Sequence, residues 1–158
     1  MLAACTANPA PTVDASGLPV NRAVTRSELI ARPEARLFYP GSMLVSKVGA
    51  DQTPTSPGQE PNPAYSGAIL TSSARPAQLY AWYGTWLKAH GYLPATDYRP
   101  ASQVSGQAWQ AHHRLQVQVG VFDPKLLKAD QGVSAMAPPG GVVYEEVLVG
   151  YPPGLPKS

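Results

Sequence analysis

The sequence predicts an α+β fold: a mostly antiparallel sheet of about four to five strands, with one main amphipathic helix packed on one face. Three observations carry this. Residues 73–94 have one apolar stripe at helical spacing. Residues 107–122 alternate apolar and polar side chains with a period of two. Short apolar runs at 42–48, 64–71 and 142–149 are bounded by Gly and Pro, as strands are. The order strand, strand, helix, strand or strand pair, strand implies few parallel crossovers.

Taken along the chain, residues 6–26 show no sustained period and are interrupted by Pro9, Pro11, Gly17 and Pro19. Such a stretch buries too little apolar surface to offset its ordering entropy and reads as a flexible tether, with Val20 and Val24 as its possible contacts. The division is therefore 1–26 as a stretch outside the fold, mostly tether, and 27–158 as a single domain. Ser27 can cap a helical turn through Ile30 that Pro33 ends, and Pro40-Gly41 is a turn. In the strand 42–48, regular alternation places Met43 and Val45 on one face and Leu44 and Val48 on the other. The Pro-rich stretch 49–63 reads as a mobile loop before the strand 64–71.

In the helix, Trp82, Tyr83, Trp86 and Leu87 fall within roughly 80° of Leu79 at about 100° per residue, forming one stripe. Ser73 is a candidate cap, Pro76 suits the first turn, and Gly91 suits the left-handed position that ends a helix. Trp86 is expected between helix and sheet. The run 107–122 exceeds an ordinary strand and predicts a hairpin or bend between Gln110 and His113, with Trp109, Ala111, His113, Leu115, Val117, Val119 and Val121 on its buried face. A connection over 125–141 leads to the last strand, 142–149.

The chain has 158 residues, with 14 Gly and 18 Pro, about a fifth of the total. Average usage is nearer 12%, so many loops are expected and a helical bundle is not. A net charge of +2 without a basic stripe gives no support to nucleic-acid binding. Cys5 is the sole cysteine, which excludes an intrachain disulfide and a cysteine-based zinc site.

Leu2-Ala3-Ala4-Cys5 resembles the lipobox of bacterial lipoproteins, in which the thiol receives a diacylglycerol and the Cys becomes the first residue. The charged and apolar segments of a signal peptide do not precede it in this sequence. A second resemblance spans roughly 39–122. Tyr39-Pro40-Gly41, a Pro-rich loop, a strand ending in Thr71, the helix Leu79-Tyr80-Ala81-Trp82-Tyr83 with Leu87, and then Gly91-Tyr92 look like a pattern of small uncharacterised bacterial lipoproteins. Together these imply lipidation at Cys5, an extracytoplasmic cell-envelope location, a membrane partner through the lipid, and a monomeric binding or structural accessory domain with a possible envelope-protein partner. The resemblance supplies no catalytic residue and no cofactor.

The rival reading is a small hydrolase or metal-binding enzyme using His90, His112 or His113. His112 and His113 are adjacent on the predicted strand, so their rings point to opposite faces, and a metal would need His90 or a carboxylate to join one of them. Glu145-Glu146 likewise straddles a strand and reads as an edge defended by charge. The glycines of 137–141 precede no helix, so they form no phosphate cradle.

Overall fold

The structure is a computed structural model that describes residues 10–100, 105–122 and 138–153. Its elements are α1 (Arg26–Ile30), a 3-10 turn (Pro33–Arg36), β1 (Met43–Ala50), β2 (Ala64–Ser72), α2 (Pro76–Ala89), β3 (Leu93–Pro94), β4 (Ser105–Ala111), β5 (Leu115–Phe122) and β6 (Val142–Gly150). The sheet order is β1-β2-β6-β5-β4-β3, with every neighbouring pair antiparallel. The fold is thus α+β with one main helix. The sixth strand is β3, whose two residues are too short to leave a sequence period; Pro94, with no N–H to give, suits this sheet edge. It follows from these pairings that β2 and β3 run parallel. Helix α2 links them across one face, and β3 to β6 return as a meander into the space between.

Pro76 sets the start of α2. A residue before proline is pushed to extended geometry, and Arg75 adopts φ −78°, ψ 154°. The helix therefore begins after Arg75 rather than at the expected cap Ser73, and Gln78 Oε1 accepts the Arg75 N–H at 2.9 Å. At the other end Gly91 takes φ 83°. Tyr92 N–H donates to Leu87 O at 3.0 Å and Gly91 N–H to Lys88 O at 3.2 Å, the paired bonds of a Schellman ending.

The buried face of α2 is Leu79, Tyr83 and Leu87, each 0% exposed. This centre is rotated about 30° from the predicted stripe at 3.6 residues per turn, and Trp82 and Trp86 lie half-buried on the rim. The reason lies at Gly84, where a Cβ would stand 3.4 Å from Trp109 Nε1. The helix rolls toward the side where the missing side chain admits the Trp109 ring. Trp86 is consequently not sandwiched between helix and sheet. Leu87→Ala should cost about 2–5 kcal/mol, the range for buried Leu, and Trp86→Ala clearly less; urea unfolding of both variants in parallel checks the ranking.

The stretch expected as a tether docks on the domain in its described part. Leu18 and Val24 are buried, whereas Val20 is exposed, and Val13 bridges Pro19. Arg114, buried at the end of the β4–β5 hairpin, holds the segment with Nη1 to Asp14 Oδ2 at 2.7 Å, Nη1 to Leu18 O at 3.3 Å and Nη2 to Pro19 O at 2.9 Å. Asp14 and Ser16 are hydrogen-bonded to each other. Burial opposes ionisation of Asp14, but the Arg114 and Ser16 hydrogen bonds outweigh it and hold the carboxyl at about 2. The cap of α1 is Thr25 rather than Ser27: Glu28 N–H donates to Thr25 Oγ1 at 3.3 Å and Thr25 N–H to Glu28 Oε2 at 2.8 Å, a capping box. The Pro-rich loop is also tied down, by Gln52 N–H to Val24 O at 3.0 Å and by a Thr53–Asn62 bridge.

The run 107–122 divides as a hairpin, within the predicted window. His112 and His113 occupy its turn with φ 50° and 59°, closed by Arg114 N–H to Ala111 O at 3.3 Å. Positive φ at both positions lets the turn follow the right-handed twist of the strands. Trp109, Ala111, Leu115, Val117, Val119 and Val121 enter the core beneath α2, as the alternation predicts, whereas His113, expected on the same face, is taken out of it by the turn and is exposed.

Candidate functional site

Strand β1 lies at the sheet edge and contains a bulge. Leu44 pairs with Leu70 and Ser46 with Ile69, so Val45 is the extra residue. The insertion resets the alternation. Leu44, beside Leu70, and Lys47, beside Ala68, now share the face that carries α1 and α2, although three positions separate them. Val45 and Val48 turn to the opposite face and pack on Ile69, Phe122 and Val143. The expected pairing of Leu44 with Val48 on one face is therefore corrected, because a bulge shifts every later side chain by one.

The result is a recess of about 400 Å³ between α1, the 3-10 turn and the β1–β2 edge. Ser66, Gly67 and Ala68 form the β2 side; Ile30, Ala35, Phe38 and Leu44 supply apolar walls. Leu44 and Ile30 are 48% and 39% exposed, an apolar lip open to solvent. Arg26, Arg36 and Lys47 also line the recess. The ion pairs of the described residues are Arg22–Glu28, Arg32–Glu34 and Arg114–Asp14, so none of these three cations has a carboxylate partner there. Arg26 Nε is buried without a hydrogen-bond partner. The Arg26 side chain lies over Gly49, where any Cβ would collide with it and with the Tyr65 carbonyl.

A second surface is shallower. Ala81, Trp82, Thr85, Trp86, Ala89 and His90 line an open depression of about 470 Å³ along the outer side of α2. Tyr39 meets Trp82 edge to face with centroids 5.6 Å apart, and His90 stacks on Trp86 at 3.6 Å. His90 also bonds through Nδ1 to Trp86 O at 2.7 Å. It is exposed.

The histidines do not converge: His90 closes α2, while His112 and His113 form the exposed β4–β5 turn. Among the described residues no group of three His, Cys, Asp or Glu could hold a metal ion. Cys5 lies outside the described residues. No helix among them is long and apolar enough to cross a membrane.

The glutamates required the largest correction. Strand β6 is central, between β2 and β5, so Glu145-Glu146 defends no edge. Glu146 is 0% exposed, flanked by Ala68 and Val119 in register, and both its carboxyl oxygens lack a hydrogen-bond partner. Burial raises its pKa well above the usual range, and the charges of Glu145 and Glu34 add to this. Glu34, in the 3-10 turn, behaves differently. Burial works against its ionisation, yet Tyr92 Oη donates to its Oε1 at 2.7 Å and Arg32 Nη2 at 3.3 Å, and these partners hold its pKa below the usual value. Alternation alone could not separate two adjacent glutamates on a central strand from two on an edge.

Fold and surface thus define a small α+β domain with a cation-lined apolar recess. No protein-family model, curated protein or solved structure matches the chain.

Proposed function

We propose that this chain is a binding domain held at the extracytoplasmic face of a membrane by lipid on Cys5, acting by recognition rather than by catalysis. The observation that carries the binding reading is the recess. A bulge aligns Leu44 with Lys47 there, and three cations with no carboxylate ion-pair partner among the described residues surround apolar walls. Pockets that combine mostly apolar lining with a few placed polar groups are the usual form of ligand sites. The reactive side chains are engaged elsewhere: His112 and His113 in a turn, His90 against Trp86, Glu146 enclosed in the core.

Support for the anchor comes from Leu2-Ala3-Ala4-Cys5, which places the sole cysteine ahead of the first residues that dock on the domain. Lipidation contributes about 0.8 kcal/mol per buried methylene, and two acyl chains hold stably where one is marginal. The domain works as a monomer, and any protein partner belongs to the same envelope compartment. In the native host the protein should fractionate with membranes and carry added diacylglyceryl mass, both lost in Cys5→Ser. A soluble protein with an unmodified thiol would end the anchor reading.

A further inference from the structure

We propose that the recess beneath α1 takes an amphipathic anion: a single acyl chain ending in a carboxylate or phosphate. This rests on the recess being a binding site, and it adds the chemical class of the ligand. The argument comes from charge and polarity together. Arg26 and Arg36 offer planar guanidinium forks, which match the oxygen pairs of carboxylate and phosphate, and Lys47 adds a compact ammonium. No Asp or Glu is among the recess-lining residues. A neutral apolar ligand would leave the Arg36 and Lys47 charges at the mouth without a carboxylate ion-pair partner among the described residues; an inorganic anion would leave Ile30, Phe38 and Leu44 facing water. Only a molecule with both parts satisfies both halves of the lining.

The geometry separates the two parts. Arg36 and Lys47 are exposed, whereas Ser66, Gly67 and Ala68 on the β2 side are buried. The anionic head is therefore read at the mouth and the acyl chain lies inward against Ala35, Phe38 and the β2 backbone. Glu34 and Glu146 lie near this wall: Glu34 adjoins Ala35 in sequence, and Glu146 pairs with Ala68 across the sheet. Glu34 is engaged by Tyr92 and Arg32, and Glu146 is enclosed in the core behind the recess, so neither faces the mouth.

The test uses the full chain as Cys5→Ser, so that the outcome is independent of lipidation. Dodecanoate and dodecyl phosphate are titrated by calorimetry below the concentrations at which they form micelles, with dodecanol and dodecylamine as neutral and cationic counterparts. The expected result is saturable one-to-one binding of at least one anion, at least ten-fold tighter than either counterpart and weakened by salt. Binding should fall at least ten-fold in Arg36→Gln/Lys47→Gln. Both side chains are exposed and unpaired, so this variant should keep the parental thermal midpoint. Amide shifts on adding the anion should centre on Ala35, Leu44 and Gly67. Equal binding of dodecanol, undiminished binding in the double variant, or attachment to anionic vesicles without binding of the monomeric amphiphiles would each overturn the proposal. Such a failure leaves the membrane-fractionation result for Cys5 untouched, and the reverse also holds.

Discussion

At pH 7, Glu146→Leu should unfold at a higher urea concentration than the parent chain, by about 1–3 kcal/mol. That is the usual penalty of a buried polar group left without a hydrogen bond. Neither carboxyl oxygen of Glu146 has a partner, so its desolvation is uncompensated and Leu leaves nothing unsatisfied. The sign with pH follows from the same burial. The folded carboxyl keeps its proton well above the ordinary value of 4.5, while the unfolded chain releases it near that value. The contribution of Glu146 is complete below the unfolded value and declines as pH rises toward the folded one. The decline is about 1.4 kcal/mol per pH unit wherever only the unfolded chain is ionised. Glu145, raised by burial, acts in the same direction. Glu34 and Asp14, both lowered, act oppositely and at acid pH, losing their contribution as pH falls through their folded values. As pH rises above the ordinary carboxyl value the parent should therefore lose stability, and Glu146→Leu should lose distinctly less. Parallel slopes, or a variant weaker than the parent at pH 7, would show that Glu146 has a compensating partner.

The second large effect is expected at Arg114. Arg114→Met removes the donor to Asp14, Leu18 O and Pro19 O, and also the Nε bond to Tyr151 O at 3.0 Å. Leaving the Leu18 and Pro19 carbonyls without their buried donor costs about 1–3 kcal/mol, and the pair with Asp14, which is partly exposed, adds little beyond that. The loss should be local as well as global. Hydrogen exchange at the amides of Leu18 and Val20 should accelerate before that of the β5 amides, and Leu18 and Val24 should become accessible to protease. Uniform protection across the segment in the variant would mean that Leu18 and Val24 dock without the arginine.

The parts of this fold that the sequence made visible are those where one local rule decides. Period two over 107–122 defined the hairpin and its buried face, and Gly91 marked the end of α2. What escaped was decided by contacts between distant residues. The roll of α2 depends on Trp109 finding the gap at Gly84, twenty-five positions earlier, and no helical wheel contains that information. The docking of 12–24 depends on Arg114, a hundred residues beyond Asp14. The recess escaped for a related reason. Its walls come from α1, the 3-10 turn, β1 and β2, and its alignment hinges on one extra residue at Val45 that strict alternation does not foresee. The burial of Glu146 required knowing that the last strand in sequence is third in the sheet.

The docked N-terminal segment also fixes a direction in space. Asp14 and Pro19 are held by Arg114 at the end of the sheet where Ala111 and Leu115 meet, and where Gly150 pairs with both Leu115 and Ala64. Lipid at Cys5 would attach through only about seven residues before Thr12, a reach of no more than about 25 Å even fully extended. The domain would then stand over the bilayer like a post on a short chain, hairpin end downward, with His112 and His113 nearest the headgroups. Met43, Ser72 and the start of α2 at Pro76 lie at the opposite end of the sheet and would point away from the lipid. Whatever meets that upper end would approach from the aqueous side, and the orientation would persist for as long as Arg114 holds the segment in place.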